Sequence, residues 1–292
     1  MSVSAPLAKE VNPEAASVVR EKAGGRGVDL SALGALMALS LRGAFRIKRL
    51  VVLSILFALP VVIASIARAK APAREFPEIE LALVFMMLPH VLIPLTALLF
   101  GSGMIQDEIE EQTLTYLLIR PLPRWSIYVG KFAATLAAAG MLAIVFGTTT
   151  ELILWWGDDR FTATELAARI AKTVSLHLFA LAGYLSVFGL LSLLIKRTLV
   201  VGMMYIIILE GVVANIPFVV RQITVMYYLR VLAMRWLDLS RETGKVWNID
   251  LDTATSASDC VWTLGAFIVV STLVAAFLFT HREFRVKTPE GN

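Results

Sequence analysis

Cysteine is nearly absent from this sequence. Cys260 stands alone, so the chain can form no intramolecular disulfide and no cysteine-built metal site. Histidine is almost as scarce. His90, His177 and His281 are scattered, with no HExxH and no cysteine partner, which argues against a metal centre. Charge is thin as well: 17% of the 292 residues are charged, against about 25% in soluble domains. The net charge of +4 is modest, and no Lys/Arg tract of the kind that binds nucleic acid is present. A phosphate-cradling GxxxxGK[ST] loop is missing too. Gly130 and Lys131 are followed by Phe132 and preceded, five residues before Gly130, by Trp125, so this chain carries no ATPase site of its own. No Ser-His-acid constellation can be assembled from the spacings. Residues 1–28 lack the apolar core and cleavage site of a signal peptide and read as a flexible cytoplasmic tail.

What is abundant is hydrocarbon. The chain is 58% hydrophobic, its mean hydropathy is +0.74, and the apolar residues are gathered into long runs. Six of these, about 50–67, 81–105, 132–156, 173–195, 198–220 and 261–280, approach the roughly 20 residues that cross a bilayer as a helix. They are too long and too continuously apolar for the ~10-residue alternating strands of a barrel. The expected fold is therefore an all-α membrane protein with six transmembrane helices, the six-helix domain covering 29–287 and a short tail at 288–292. Pro60 falls inside the first run, where a missing N–H predicts a kink. Upstream, "DLSALGALMALSLRGAFRIKR" (29–49) predicts a helix lying on the inner membrane face, with Asp29 or Ser31 as its cap.

Six crossings put both termini on one side. The cluster Arg42, Arg46, Lys48 and Arg49 and the pair Lys196–Arg197 favour a cytoplasmic N-terminus under the positive-inside rule, against Arg68, Lys70 and Arg74 on the other flank. Trp125, Trp155, Trp156 and Trp262 lie at run ends, as interfacial anchors do. In the long connection 221–260, Ile223, Met226, Tyr227, Met234 and Leu237 recur at helical spacing while basic residues interrupt them. That predicts a helix that lies in or dips into the outer interface, followed by an exposed loop over "ETGKVWNIDLDTATSASD".

Polar side chains within the runs are expensive in lipid and are candidates for function. Glu210 and His90 fall near mid-span, and Glu151 and His177 toward the outer ends. They are the candidate substrate path, with backbone or hydroxyl satisfaction on a neighbouring helix as the structural alternative for each. Ala134 and Ala138, Ala139 and Ala143, and Ser186, Gly189 and Ser192 have the small-residue spacing that lets helices approach closely.

The most foreign segment is 105–131, "IQDEIEEQTLTYLLIRPLPRWSIYVGK". Asp107, Glu108, Glu110 and Glu111 cannot sit in hydrocarbon. Leu114, Leu117 and Leu118 then mark one apolar face of a short helix, with Thr113 as its cap and Pro121 and Pro123 as its stop. Arg124 and Lys131 flank the next crossing. An apolar face held outside the membrane needs a partner. The pattern D-E-x-E-E-x-T-L-x-x-L-L-x-x-P-x-x-R followed by Gly-Lys resembles the permease subunits of type-2 ABC exporters, with Gln112 where that family commonly has glycine. The likeness in layout covers about 30–287.

The resemblance implies a division of labour. This chain forms the membrane path, together with a second permease chain, and a separate ABC ATP-binding subunit holds ATP and Mg²⁺ and hydrolyses the ATP. Glu108, Glu110, Glu111, Thr113, Leu114, Leu117, Leu118, Pro121 and Arg124 would form the coupling helix that docks on that subunit. The location implied is the cell (inner) membrane, in contact with its lipid, with both termini cytoplasmic. An ion-coupled secondary transporter, or a non-catalytic membrane subunit of a larger complex, are the alternatives. No repeat of the first three spans in the last three is visible, which disfavours the former.

Overall fold

Continuous apolar sequence with few breakers leaves the backbone one way to satisfy its own polar groups in a membrane-like interior, the helix. A computed structural model describes residues 34, 37, 38, 41, 47–110, 123–216, 219–239 and 241–282. Its elements are helical throughout. They are α1 (Ile47–Lys70), α2 (Phe76–Glu80), a π-helical stretch (Leu81–Leu92), α3 (Ile93–Glu110), α4 (Arg124–Trp155), α5 (Ala163–Leu194) and α6 (Thr198–Tyr205). A second π-helical stretch (Ile206–Val212) follows, then α7 (Val225–Trp236), α8 (Arg241–Val246) and α9 (Ala257–His281). Among the described residues, six segments are long and apolar enough to cross a membrane: Arg49–Lys70, Ala73–Asp107, Arg124–Trp155, Ala163–Leu194, Thr198–Asn215 and Ala257–His281. The expectation of an all-α protein with six spans holds. The coupling helix at 111–122 and most of the predicted surface helix lie outside the described residues.

The spans differ in length from the apolar runs that announce them. The second begins at Ala73 and the fourth at Ala163, well ahead of the runs at 81 and 173, because helix continues through polar residues that find partners. Glu80 is 2% exposed. Both its oxygens accept from Arg169 of α5, Oε1 from Nε at 2.9 Å and Oε2 from Nη2 at 2.8 Å. The start of α5 is fixed by a capping box in which Thr162 and Glu165 satisfy each other's backbone N–H. The fifth span is the shortest at 18 residues, ending at Asn215 and not near 220.

α3 and α5 cross closely. A Cβ added to Gly101 would sit 2.9 Å from the Phe188 Cβ, and one added to Gly189 would sit 3.2 Å from Met104 Cε of α3 and 2.7 Å from the Tyr128 hydroxyl of α4. These two glycines are what allow the axes to approach. Ala134, Ala138, Ala139 and Ala143 are all buried and let α4 lie close against its neighbours. At the outer flank of the bundle α1 and α9 keep large apolar faces uncovered, Val52, Ile55 and Ile66 on one and Trp262, Val270 and Phe277 on the other, as a surface turned to lipid would.

Three sequence expectations change. Trp155 is a core residue, not an interfacial anchor: it is 2% exposed, edge-on to Phe76 and Phe161, with the Arg160 guanidinium over its ring. Trp125, Trp156 and Trp262 are exposed. The connection after 221 goes deeper than the interface. α7 is buried on most sides, because the helices around it leave a slot and its basic residues find carbonyls. Ile223 falls in the 3₁₀ turn before α7 and is exposed. Finally, the segment read as an exposed loop is strapped down. Arg235 donates to the carbonyls of Leu251, Ala254 and Thr255, Arg221 donates to that of Asn248, and Trp247 and Ile249 are buried.

The Glu80–Arg169 pair is bidentate and almost dry, and removing one partner of such a pair costs about 3–5 kcal/mol by stranding the other charge. Arg169→Ala and Glu80→Ala should each lower the thermal midpoint of the purified protein in detergent. The double variant Glu80→Leu/Arg169→Leu should recover much of the loss. A double variant no better than the singles would mean that the pair does not carry this stability.

Candidate functional site

α7 begins inside the bundle, not at its surface. Val225 abuts α5 at Gly183, where an added Cβ would lie 3.3 Å from a Val225 methyl. Gly183 lies about 17 Å from the end of α5 at ~1.5 Å per residue, near mid-thickness of a ~30 Å hydrocarbon core. A helix starting there exposes unpaired N–H groups where water cannot serve them. Three acceptors meet them. Glu210 Oε1 takes the Val225 N–H at 3.3 Å, Glu210 Oε2 takes that of Met226 at 3.1 Å, and Thr224 Oγ1 takes that of Tyr227 at 3.3 Å. The Tyr205 hydroxyl adds a long bond of 3.5 Å to Glu210 Oε1. The mid-membrane acid is thus a helix cap, and its negative charge suits the positive end of the α7 dipole. At the other end of α7, Lys172 donates to the Trp236 carbonyl at 2.7 Å and Arg169 to that of Leu237 at 3.5 Å, cations where a helix favours them.

Halfway along α7, Arg230 is 5% exposed. Its Nη1 donates to the Ala214 carbonyl at 3.3 Å, and its Nη2 to Asn215 Oδ1 at 3.1 Å and to His90 Nε2. A guanidinium can only donate, so His90 Nε2 accepts. His90 Nδ1 must then carry the proton it shares with the Met86 carbonyl at 3.0 Å. His90 follows Pro89 in the π-helical stretch, where the missing N–H of proline and its clash with the preceding turn favour a widened helix. His177 lies on α5 and turns Nε2 to the Val84 carbonyl at 3.0 Å. Its Nδ1 packs against Gly147 of α4, where an added Cβ would sit 3.3 Å away.

Of the four intramembrane candidates, His90 and Glu210 are brought to the same re-entrant helix, and His177 borders a small cavity beside it. Glu151 lies apart from that cavity, near Glu80 and Arg169 and next to Thr173. It is 1% exposed, and neither oxygen has a hydrogen-bond partner among the described residues. Neither glutamate pairs with a histidine. Sequence reasoning passed over Arg169, Arg230 and Trp247. A signal for the first existed: Leu166, Thr173 and His177 form a buried stripe at helical spacing, and Arg169 is on it.

The end of the bundle that carries the connection 111–122 is fastened differently. Asp107 pairs with Arg49 of α1 at 3.2 Å, packed onto Gly103. Gln106 Nε2 reaches Ile195 O at 3.2 Å, Lys196 O at 3.4 Å and Thr198 Oγ1 at 3.1 Å, clasping the turn between α5 and α6. Lys131 is 5% exposed and donates to the Met104 carbonyl at 2.9 Å. Arg124 donates to the Thr280 carbonyl of α9 at 3.3 Å. The side chains of Glu108 and Glu110, and Glu111, Thr113, Leu114, Leu117, Leu118 and Pro121 entirely, lie outside the described residues.

Replacing Glu210 by Leu strands two N–H groups, at about 1–3 kcal/mol each. Glu210→Leu should lower the thermal midpoint clearly and open the backbone around 225–227 to hydrogen exchange, whereas Glu210→Gln, which keeps an acceptor oxygen, should do less. Equal effects of Leu and Gln would argue that the charge, not the cap, matters.

No curated protein matches this sequence. A family model described as ABC-2 family transporter protein matches residues 45–215. That stretch is more than half of the chain and takes in the first five spans, the fastened end and the charged connection between Glu110 and Arg124. Among the described residues the chain is all-helical with six membrane-capable segments, and it belongs to the ABC-2 family of transporter proteins.

Proposed function

We propose that the chain is the membrane-spanning permease subunit of an ATP-driven exporter, working with a separate ATP-binding subunit and a second permease chain. The observation that carries the reading is the family match over 45–215, which runs through the charged connection. The fastened ends on either side of that connection support it. A push on 111–122 would be delivered through Asp107 and Arg49 to α1, through Gln106 to the α5–α6 turn, and through Arg124 to α9. On this reading the connection is the coupling helix, it and both termini face the cytoplasm, and ATP with Mg²⁺ belongs to the partner. Closure of the partner's ATP-bound dimer would move the docked helices as levers and alternate access to the path. The position of His177 on the cavity beside α7, with His90 behind Arg230, supports a path along that helix. Glu210 serves it by holding α7 in place.

The test is co-purification. A tagged chain should bring down an ATP-binding subunit from its native membrane, and Leu117→Asp should abolish that association while leaving the thermal midpoint of the isolated chain unchanged. Intact association in Leu117→Asp would overturn 111–122 as the docking segment, and transport with no ATP-binding partner would sink the reading in favour of an ion-driven transporter.

A further inference from the structure

Beside α7 lies a small cavity walled by Phe85 and Pro89 of the second span, Leu176 of α5, Met226 and Arg230 of α7, and Trp247. Its wall is apolar apart from Arg230, Trp247 and His177. His177 Nε2 donates to the Val84 carbonyl, while its Nδ1, buried without a hydrogen-bond partner among the described residues, lies against Gly147 of α4 and not α7, 3.3 Å from where a Cβ there would sit. Arg230 uses both Nη atoms on Ala214, Asn215 and His90. On the α7 side of the cavity two further atoms, Arg230 Nε and Trp247 Nε1, are buried without a hydrogen-bond partner among the described residues. The residues are 5% and 4% exposed, and the guanidinium carbon lies 6.0 Å from the centre of the indole ring.

Both atoms are N–H groups that donate and cannot accept. A cation would meet the guanidinium charge, and a hydrocarbon would leave both donors unpaired at about 1–3 kcal/mol each. The species that fits is an acceptor. Size narrows it further. The cavity offers ≈ 20 Å³ to the centre of a water-sized sphere, somewhat more than the roughly 10–15 Å³ that one water requires. We infer that Arg230 Nε and Trp247 Nε1 form a two-donor site for a single oxygen acceptor, supplied by a water molecule or by the terminal oxygen of an amphiphile entering from the membrane. The inference rests on the geometry of the bundle and not on what energises transport.

The site can be read on the full chain in lipid nanodiscs with ¹⁵N-labelled tryptophan, the Trp247 indole signal being assigned by its loss in Trp247→Phe. A hydrogen-bonded indole N–H, shifted downfield, that receives magnetisation from water identifies water as the occupant. The same shift with transfer from lipid headgroup or glycerol protons identifies an amphiphile. An upfield, unbonded N–H with transfer from neither overturns the site. Arg230→Lys keeps the charge and removes Nε–H. A Trp247 signal unmoved in folded Arg230→Lys protein would also overturn the shared site, and should that variant not fold, the measurement on the unsubstituted chain decides alone.

Discussion

The structure turns on a helix that starts where water cannot reach. Every peptide group in hydrocarbon must be paired within the protein, and the first turn of α7 has free N–H groups by construction. Glu210 exists to receive them, together with Thr224. To bring a carboxylate to that level, the fifth span has to pass it and come back, and the helix there widens into π geometry over Ile206–Val212 before a 3₁₀ turn. The short fifth span, the loop after it and the depth of α7 are consequences of one capped terminus. The far end of α7 completes the arrangement: Arg169 and Lys172 take its last carbonyls, and Arg169 is itself neutralised by Glu80. The second span, α5 and α7 are thereby joined through charge in a medium where breaking such bonds is costly.

Much of this was legible in the sequence, and the failures have a common cause. Six apolar runs gave six spans, and the small residues of α4 and α5 sit at close crossings, because both signals depend on burial alone. Depth and partnership were harder to read. The stripe Met226, Met234, Leu237 was taken to be interrupted by charge, yet Arg230 stands four residues from both Met226 and Met234, on the same face, and is buried with them. Charge within an apolar stripe set the predicted helix at the interface, whereas the fold buried it and supplied carbonyls, an amide and an imidazole. Glu80 and Arg169 were lost in the same way, each lying just outside a run whose edge was drawn by hydropathy. Trp155 looked like an anchor because position at a run's end cannot distinguish a ring facing lipid from one stacked between Phe76 and Phe161. The deciding partners are far off along the chain: Arg230 and His90 are 140 residues apart and Arg169 and Glu80 are 89, distances over which periodicity carries no information.

The polar bonds also divide the bundle into parts that differ in how they can move. α1 is tied at its ends, by Arg49 to Asp107 and by Arg68 to the carbonyls of Leu154 and Trp156. α9 is tied to α4 where Arg124 meets Thr280. Between those ties the contacts of α1, such as Phe57 against Phe146, are apolar. Sliding one apolar surface past another costs little in lipid, whose tails are as apolar as leucine. Moving α7 relative to the second span would break the bond of Arg230 to His90, and moving it relative to the fifth would uncap it from Glu210. The expected moving bodies are therefore a polar-bonded centre of the second span, α5, the fifth span and α7, and the flanking helices α1 and α9, hinged at the ends where their ties are concentrated. That division puts the hinges of α1 and α9 beside the charged connection, at Asp107 and Arg124, so a force applied there acts where the bundle has freedom to answer it.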